Sequence, residues 1–190
     1  TRKMLDELKG RGHIYGLDVD PIEIVKTTER LRNAGYGEDI FTPVSENFAN
    51  VAKIAEKYGC FDFCLADLGV SSMQIDNPER GFSYKLDGPL DLRLNPQAGI
   101  SAADRLLELS QEEIEGMLVE NSDEPYASEI AAEIVKKIRK DKRISTTTEL
   151  RETIEKALEF LPDNREKKDI LKKTCQRVFQ ALRIDVNSEF

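Results

Sequence analysis

Between His13 and Ala66 the chain alternates strand, helix, strand, helix, strand, and that order leaves few folds open. His13–Val19 reads as a strand. Asp20-Pro21 then opens a helix: the aspartate can cap it, proline suits its first position, and Glu23 stands three residues past the cap. That helix runs to about Ala34 and stops at Gly35. Ile40–Val44 reads as a second strand. Phe48–Tyr58 reads as a helix with Val51, Ala52, Ile54 and Ala55 on its buried side, and Phe61–Ala66 as a third strand. Strands joined by helices at this spacing form a parallel sheet with crossover helices. The fold class is therefore α/β.

The third strand runs into Asp67 and then a loop of about thirty residues, a length uncommon in a compact domain and usually functional. The loop is dense in Gly, Pro, Asp and Arg. It follows the C-terminal end of a parallel strand, the edge at which open α/β sheets bind ligands. After residue 100 the pattern turns helical. Ser101-x-x-Asp104 and Ser110-x-x-Glu113 are helix starts. Tyr126–Lys140 is amphipathic, with Ala127, Ile130, Ala131, Ile134, Val135 and Ile138 on one face. Thr146-x-x-Glu149 caps a further helix striped with Leu150, Ile154, Ala157, Leu158 and Leu161. Pro162–Lys168 reads as a charged, mobile connection, and a last helix runs from about Leu171. Residues 101 to about 172 thus look like an all-helical lobe. The chain opens inside a helix and stops at Phe190 in mid-helix, as expected of a fragment of a longer protein.

The chain's 190 residues can bury roughly 70% of the unfolded surface, so no disulfide or metal staple is needed. The three cysteines, Cys60, Cys64 and Cys175, form no C-x-x-C pair, which argues against a zinc site or disulfide framework. Cys60 and Cys64 are expected to be small core residues of the third strand. His13 is the only histidine and has no ligand cluster near it in sequence, so no metal is expected. No apolar run approaches the roughly 20 residues of a membrane helix, and no membrane association is expected. Net charge is −8, unevenly spread: residues 136–183 hold 15 Lys/Arg against 8 Asp/Glu, and the remainder 13 against 28. Such asymmetry marks either a nucleic-acid face or a solvated helical surface.

Asp18 ends the first strand. A carboxylate there can accept bonds from ribose hydroxyls, or it can pair with Asp20 as a helix-capping group. Asp67, ahead of Leu68-Gly69, can accept from an amino group, or it can order the loop through Ser71 and Ser72. Phe48, past the second strand, can stack on adenine or serve as a core residue. Arg80 and Arg93 stand beside the turn-forming Gly81-Phe82 and Gly88-Pro89-Leu90-Asp91. Arginines on such a loop suit phosphate or base recognition; they can equally pair with Asp87 and Asp91. No Ser/His/Asp or Cys/His hydrolytic set is available.

Three blocks carry a resemblance: GLDVDP (16–21), ADLGVSSMQIDNPERGFSYKLDGPLDLRLNP (66–96) and RVFQALRIDVNSEF (177–190). Together they resemble the RsmH (MraW) family of bacterial S-adenosylmethionine-dependent methyltransferases, which methylate the N4 amine of a cytidine in the decoding region of small-subunit (16S) ribosomal RNA. The resemblance implies a Rossmann-like class I methyltransferase sheet, incomplete here, with an inserted all-helical domain. Residues 1–100 would be the partial methyltransferase domain including loop 68–100, residues 101–172 the insertion, and residues 173–190 a helix returning to the first domain. It implies S-adenosyl-L-methionine as cofactor, held by Asp18 at the ribose, Phe48 at the adenine, and Asp67 with Gln74 along the loop. Asp67 is the candidate catalytic acceptor, and Arg80 and Arg93 are the candidate substrate contacts. The implied partner is the small ribosomal subunit, the implied location cytoplasmic, and a homodimer a candidate assembly.

Two departures stand out. The family's glycine-rich loop, D-x-T-x-G-x-G-G-H, and its closing strands are not in this chain, so weak cofactor binding is expected of the chain alone. The family's H-x-A-T-[RK] reads Lys173-Thr-Cys-Gln-Arg177 here. Two other readings compete. A nicotinamide-dependent oxidoreductase explains Asp18 but not the DLGVSS loop. A non-catalytic RNA-binding remnant of a methyltransferase is the other.

Overall fold

The computed structural model describes residues 1–140 and 143–189. They form two compact units, Thr1–Asp67 and a second that begins at Leu68.

In the first unit, helix α1 (Arg2–Leu8) leads to strand β1 (Ile14–Asp18), helix α2 (Pro21–Asn33), strand β2 (Phe41–Ser45) and helix α3 (Val51–Tyr58), the last entered through a single 3-10 turn, Phe48–Asn50. The strands pair in parallel, from Ile14 opposite Phe41 to Asp18 opposite Ser45. Asp20 caps α2 as its sequence position dictates, accepting from the amides of Ile22 at 2.9 Å and Glu23 at 3.3 Å. Leu5, Leu31 and Phe41 make the buried core of this unit. The Phe41 ring lies 2.9 Å from where a Cβ on Gly16 would stand, so only glycine lets it cross β1 there. On the opposite face of β1, Tyr15 contacts the rings of Tyr58 and Phe61.

The expected third strand does not form. Residues 61–66 make no ladder, and Phe63 and Leu65 are 72% and 63% exposed. An apolar run becomes a strand only when a neighbour supplies the other half of its hydrogen bonds, and among the described residues β1 and β2 pair only with each other. Two further expectations fall with it: Cys60 and Cys64 are exposed, and on α3 only Ile54 is buried while Val51 is exposed.

The second unit is helical. It holds the short α4 (Ser72–Ile75), a 3-10 turn at Pro78–Arg80, then α5 (Ala102–Glu108), α6 (Gln111–Ser122), α7 (Ala127–Ile138), α8 (Thr147–Ala157) and α9 (Arg165–Asn187). The expected caps form. The side chains of Ser101, Ser110 and Thr146 accept from the amides of Asp104, Glu113 and Glu149, the last two as full capping boxes. α9 starts six residues earlier than expected, because Asn164 accepts from the Lys167 amide at 2.8 Å and nucleates a helix where the charge pattern suggested a mobile connection. The last described helix ends at Asn187. The expectation of a mid-helix stop at Phe190 lies outside the described residues.

Ile114, Leu118, Ile130, Ile134, Leu150 and Leu182 form the centre of this core, and Leu90 and Leu92 of the long loop are buried in it. The loop therefore packs with the helices. It also folds back on itself: a Cβ on Gly88 would stand 2.1 Å from the Pro78 carbonyl oxygen, and one on Gly81 2.3 Å from that of Pro89.

One buried carboxylate is incompletely satisfied. Glu124 is 2% exposed. Its Oε1 accepts from the Tyr126 amide at 3.1 Å and the Thr174 hydroxyl at 3.3 Å. Its Oε2 has no hydrogen bond, and the nearest cation, Arg177, is 4.0 Å away. Burial raises the Glu124 pKa above 4.5, outweighing the opposing hydrogen bonds and Arg177.

Two predictions follow from packing and burial. Gly88→Ala should destabilise the second unit by about 2 kcal/mol in urea titration, because backbone must move to admit the methyl group. Glu124→Gln should stabilise the chain near pH 8, since it removes the cost of a buried carboxylate with an unsatisfied oxygen. The folded state holds the Glu124 proton more tightly than the unfolded state, so the wild type gains stability as pH falls through the raised pKa. The advantage of the variant should therefore shrink toward pH 5 and vanish below the unfolded value, read from paired urea titrations.

Candidate functional site

The parallel register places the ends of β1 and β2 at one edge. Asp18 lies opposite Ser45, so Phe48, three residues beyond Ser45, begins its turn from that same edge. Asp18 Oδ1 accepts from the Asp20 amide at 2.9 Å, which fixes the carboxylate in the turn between β1 and α2. The Asp18 pKa is raised, first by burial and then by the negative charges of Asp20 and Glu23, with the Asp20 and Val19 amides opposing. The capping-pair reading of Asp18 and Asp20 and the ligand reading are thus compatible: one oxygen orders the turn, and the residue remains exposed as a whole. Phe48 is 42% exposed rather than buried in the core, and Asn47 orders its turn by accepting from the Ala49 amide. An acceptor carboxylate and an exposed aromatic ring at one strand edge fit a nucleoside, the first for a ribose diol and the second for a base. Asp67 closes the first unit in irregular, exposed chain.

The remaining expected site residues lie in the second unit, and each has structural work there. Gln74 is buried. Its Oε1 accepts from the Ser71 amide at 2.8 Å while Ser71 Oγ accepts from the Gln74 amide, so the pair caps α4. Gly69 ahead of this turn has φ +114°, a conformation side chains rarely adopt. Arg80 is also buried. Its Nη2 donates to the carbonyls of Arg93 at 3.0 Å and Leu94 at 2.9 Å, and its guanidinium lies 5.4 Å from the Phe82 ring. Expected as a substrate contact, Arg80 holds the loop in shape from inside. Arg93 grips Asp91 with two donors, Nε at 2.9 Å and Nη2 at 2.7 Å, which is the internal pairing left open by the sequence.

Sequence reasoning missed the residue that ties this loop down. The Asn187 side chain donates to the Leu92 carbonyl at 2.7 Å and to the Arg183 carbonyl at 2.8 Å, and accepts from the Leu94 amide at 2.7 Å. Leu92 itself has φ +61° and is fully buried. A non-glycine residue in the left-handed region costs roughly 1–3 kcal/mol, and such residues cluster at functional sites. The signal available in sequence was an asparagine at the end of an apolar-periodic helix, where a side-chain amide can reach another segment. Nearby, Arg105 pairs with Asp185 at 2.7 Å and Arg183 with Glu189 at 2.8 Å.

Lys173, where the resembled family has histidine, is exposed on α9. Two residues on, the Cys175 thiol is buried and pushed up to about 12, chiefly by burial, which makes it unreactive. His13 contacts the Asp39 carbonyl and the Thr42 hydroxyl. Among the described residues no His, Cys, Asp and Glu cluster could hold a metal, and no helix is long and apolar enough to cross a membrane.

The model of the MraW methylase family matches residues 1–190. The chain is 65% identical over 190 residues to Ribosomal RNA small subunit methyltransferase H 1 of Agathobacter rectalis, covering all of this chain and 54% of that protein. It is 62% identical to the protein of the same name from Lachnoclostridium phytofermentans, covering 52% of it. It is 57% identical to Ribosomal RNA small subunit methyltransferase H 2 of Alkaliphilus metalliredigens, covering 54% of it. The chain spans about half the length of these relatives.

Asn187→Ala should strand the Leu92 carbonyl and the Leu94 amide, a cost of about 2–4 kcal/mol for two unpaired groups. The expected outcome is a lower midpoint in urea and faster proteolysis within residues 78–96. Cleavage at the wild-type rate would show that the clamp does not hold the loop.

Proposed function

The chain belongs to the MraW methylase family, and we propose that it is part of an S-adenosylmethionine-dependent enzyme that methylates the N4 amine of a cytidine in 16S ribosomal RNA, in the cytoplasm. The relatives' names support the small-subunit rRNA substrate. The observation that carries the reading on this chain is the parallel register that brings Asp18 and the Phe48 turn to one edge of the sheet. In this reading Asp18 accepts from the ribose hydroxyls of the cofactor and Phe48 stacks on its adenine. Gln74 and Arg80 act by shaping the 69–74 turn and the 78–94 loop, and Arg93, half-buried against Asp91 at the end of that loop, is the substrate contact. By sequence, residues 1–100 belong to the methyltransferase domain, 101–172 are inserted, and the stretch from 173 returns.

The cofactor supplies a methyl group made electrophilic by a sulfonium. Cytosine N4 is a weak nucleophile because its lone pair is conjugated into the ring. The protein must therefore align it, and alignment can contribute as much as about 7–11 kcal/mol to rate. Asp67 is assigned the acceptor role: its carboxylate would take a hydrogen bond from N4–H and then the proton released as the N–C bond forms and the methyl group's bond to the sulfonium sulfur breaks. The target base must leave its stack, at a cost of a few kcal/mol.

The test is nucleoside mass spectrometry on 16S rRNA from the source strain with the gene intact, deleted, and replaced by a full-length Asp18→Asn allele. Deletion should abolish N4-methylcytidine. Asp18→Asn should weaken cofactor binding about tenfold or more, the loss expected for one or two charge-assisted hydrogen bonds. An unchanged N4-methylcytidine level on deletion would overturn the substrate assignment.

A further inference from the structure

Helix α9 does not simply stop at Asn187. Ser188 turns left-handed, with φ 47°, and the Glu189 amide donates back to the Ile184 carbonyl at 3.1 Å. That turn brings the Glu189 side chain onto Arg183. The pairing is bidentate: Arg183 Nε donates to one carboxylate oxygen at 2.8 Å and Nη2 to the other at 3.1 Å. The two side chains are only 18% and 10% exposed.

An arginine carries five N–H donors in a rigid fork. Glu189 takes Nε and Nη2, and among the described residues nothing takes Nη1. Nor is Nη1 sealed off: it is not one of the buried atoms left without a hydrogen bond. It lies 3.9 Å from where a Cβ on Gly69 would stand, and no other atom beyond the chain neighbours comes within 4 Å of that point. The glycine thus leaves open space in front of two unused donors.

Replacing a buried ion pair by apolar side chains is often neutral or stabilising, so folding alone does not call for one here. Glu189 also sets what the open nitrogen can bind. Its carboxylate cancels the charge of the guanidinium, and the pair offers a hydrogen-bond donor without net charge. A phosphate or a free carboxylate would be a second anion at an arginine already neutralised. A neutral acceptor meets no such repulsion, and in a partly enclosed place its hydrogen bond is stronger than in water.

We propose that Arg183 Nη1 donates to O2 of the target cytosine and thereby selects cytosine over adenine. This rests on the cytidine N4 reading above. The edge of cytosine that carries N4 runs amine, N3 acceptor, O2 acceptor. Adenine also sets an amine beside a ring-nitrogen acceptor, but has a C–H where cytosine has O2, so O2 is the atom that tells the two apart. Asp67, assigned above to N4–H, precedes Gly69 by two residues in sequence. A site built to hydrogen-bond a substrate group rejects an analogue lacking it, because its own polar group is then left unpaired.

The test is methyl transfer by the full-length enzyme to small subunits whose 16S rRNA carries either cytidine or 2-thiocytidine at the target position, read by nucleoside mass spectrometry. Sulfur is a poor acceptor, while N3 and N4 are unchanged. The wild type should lose about tenfold or more in kcat/KM on 2-thiocytidine, the loss expected for one hydrogen bond from a charged group. Arg183→Lys keeps a cation for Glu189 but has no Nη1. It should lose about tenfold on cytidine and less than about twofold further on 2-thiocytidine. Arg105→Lys, which alters a different ion pair to α9, that with Asp185, should keep the wild-type ratio. Equal turnover of both substrates by the wild type overturns the proposal, and that comparison decides if circular dichroism shows Arg183→Lys to be unfolded. A folded Arg183→Lys enzyme with the wild-type ratio also overturns it. So does one whose loss lies in weaker binding of S-adenosylhomocysteine, which would place the cofactor's carboxylate at Nη1 instead. Failure here is separable from failure of the rRNA reading. If deletion of the gene abolishes N4-methylcytidine while Arg183→Lys keeps the wild-type ratio, only the Arg183 assignment falls.

Discussion

The segment from residue 78 to 96 has no ladder and little helix, yet Leu90 and Leu92 are fully buried. Its peptide groups must therefore find partners in other elements, because a buried amide or carbonyl left unpaired costs as much as a lost hydrogen bond. Much of the second unit answers that requirement. The first amides of α5 are orphan donors, as at any helix start, and they bond to the carbonyls of Asp91 and Leu90 at 2.8 and 2.9 Å. The Leu90 amide donates to the Ser145 carbonyl and the Leu92 amide to the Arg80 carbonyl. Thr147 donates its amide to the Gly88 carbonyl and its hydroxyl to the Leu86 carbonyl. Arg80 and Asn187 take what remains. Two sets of unsatisfied groups, a helix start and a loop, complete each other.

This accounting explains how Leu92 keeps a left-handed backbone. Burying a leucine side chain contributes about 1.5–3 kcal/mol, comparable to the strain of the conformation, and the Asn187 amide fixes the carbonyl on one side and the Leu94 amide on the other. The neighbouring Asp91–Arg93 pair is thereby presented at a set angle. A loop whose peptide groups are paired with the core behind it has few ways to rearrange without leaving a buried group unpaired.

The sequence made the local signals legible. Asp20, Ser101, Ser110 and Thr146 could be read as caps because a capping side chain bonds within three residues of itself, and the apolar stripe of α7 because its period is fixed by the helix. That Asp18 and the Phe48 turn share one sheet edge followed from the order of a parallel pair of strands. What could not be read depended on long-range pairing. Nothing near Arg80 shows that its partners are the carbonyls of residues 93 and 94, and nothing near Asn187 shows that it reaches across more than ninety residues to Leu92 and Leu94. The start of α9 was a local signal overlooked: Asn164 with Glu166 beyond it is an ordinary cap, masked by the surrounding charge.

The apolar run at residues 61–66 makes the same point in reverse. Strands of parallel sheets are covered on both faces and so carry near-continuous apolar sequence. Phe61, Phe63 and Leu65 have that character, and Phe61 reaches the Tyr15 ring on β1. But an apolar run states only what a strand requires of its neighbours: a ladder along its edge and a packed layer over each face. With β1 paired to β2 and the small core of Leu5, Leu31 and Phe41 behind them, neither is supplied to residues 61–66, and a lone two-stranded sheet is marginal without further strands or packed helices. The period and composition of a segment therefore specify its demand for partners. Whether it becomes a strand is decided by the rest of the sheet.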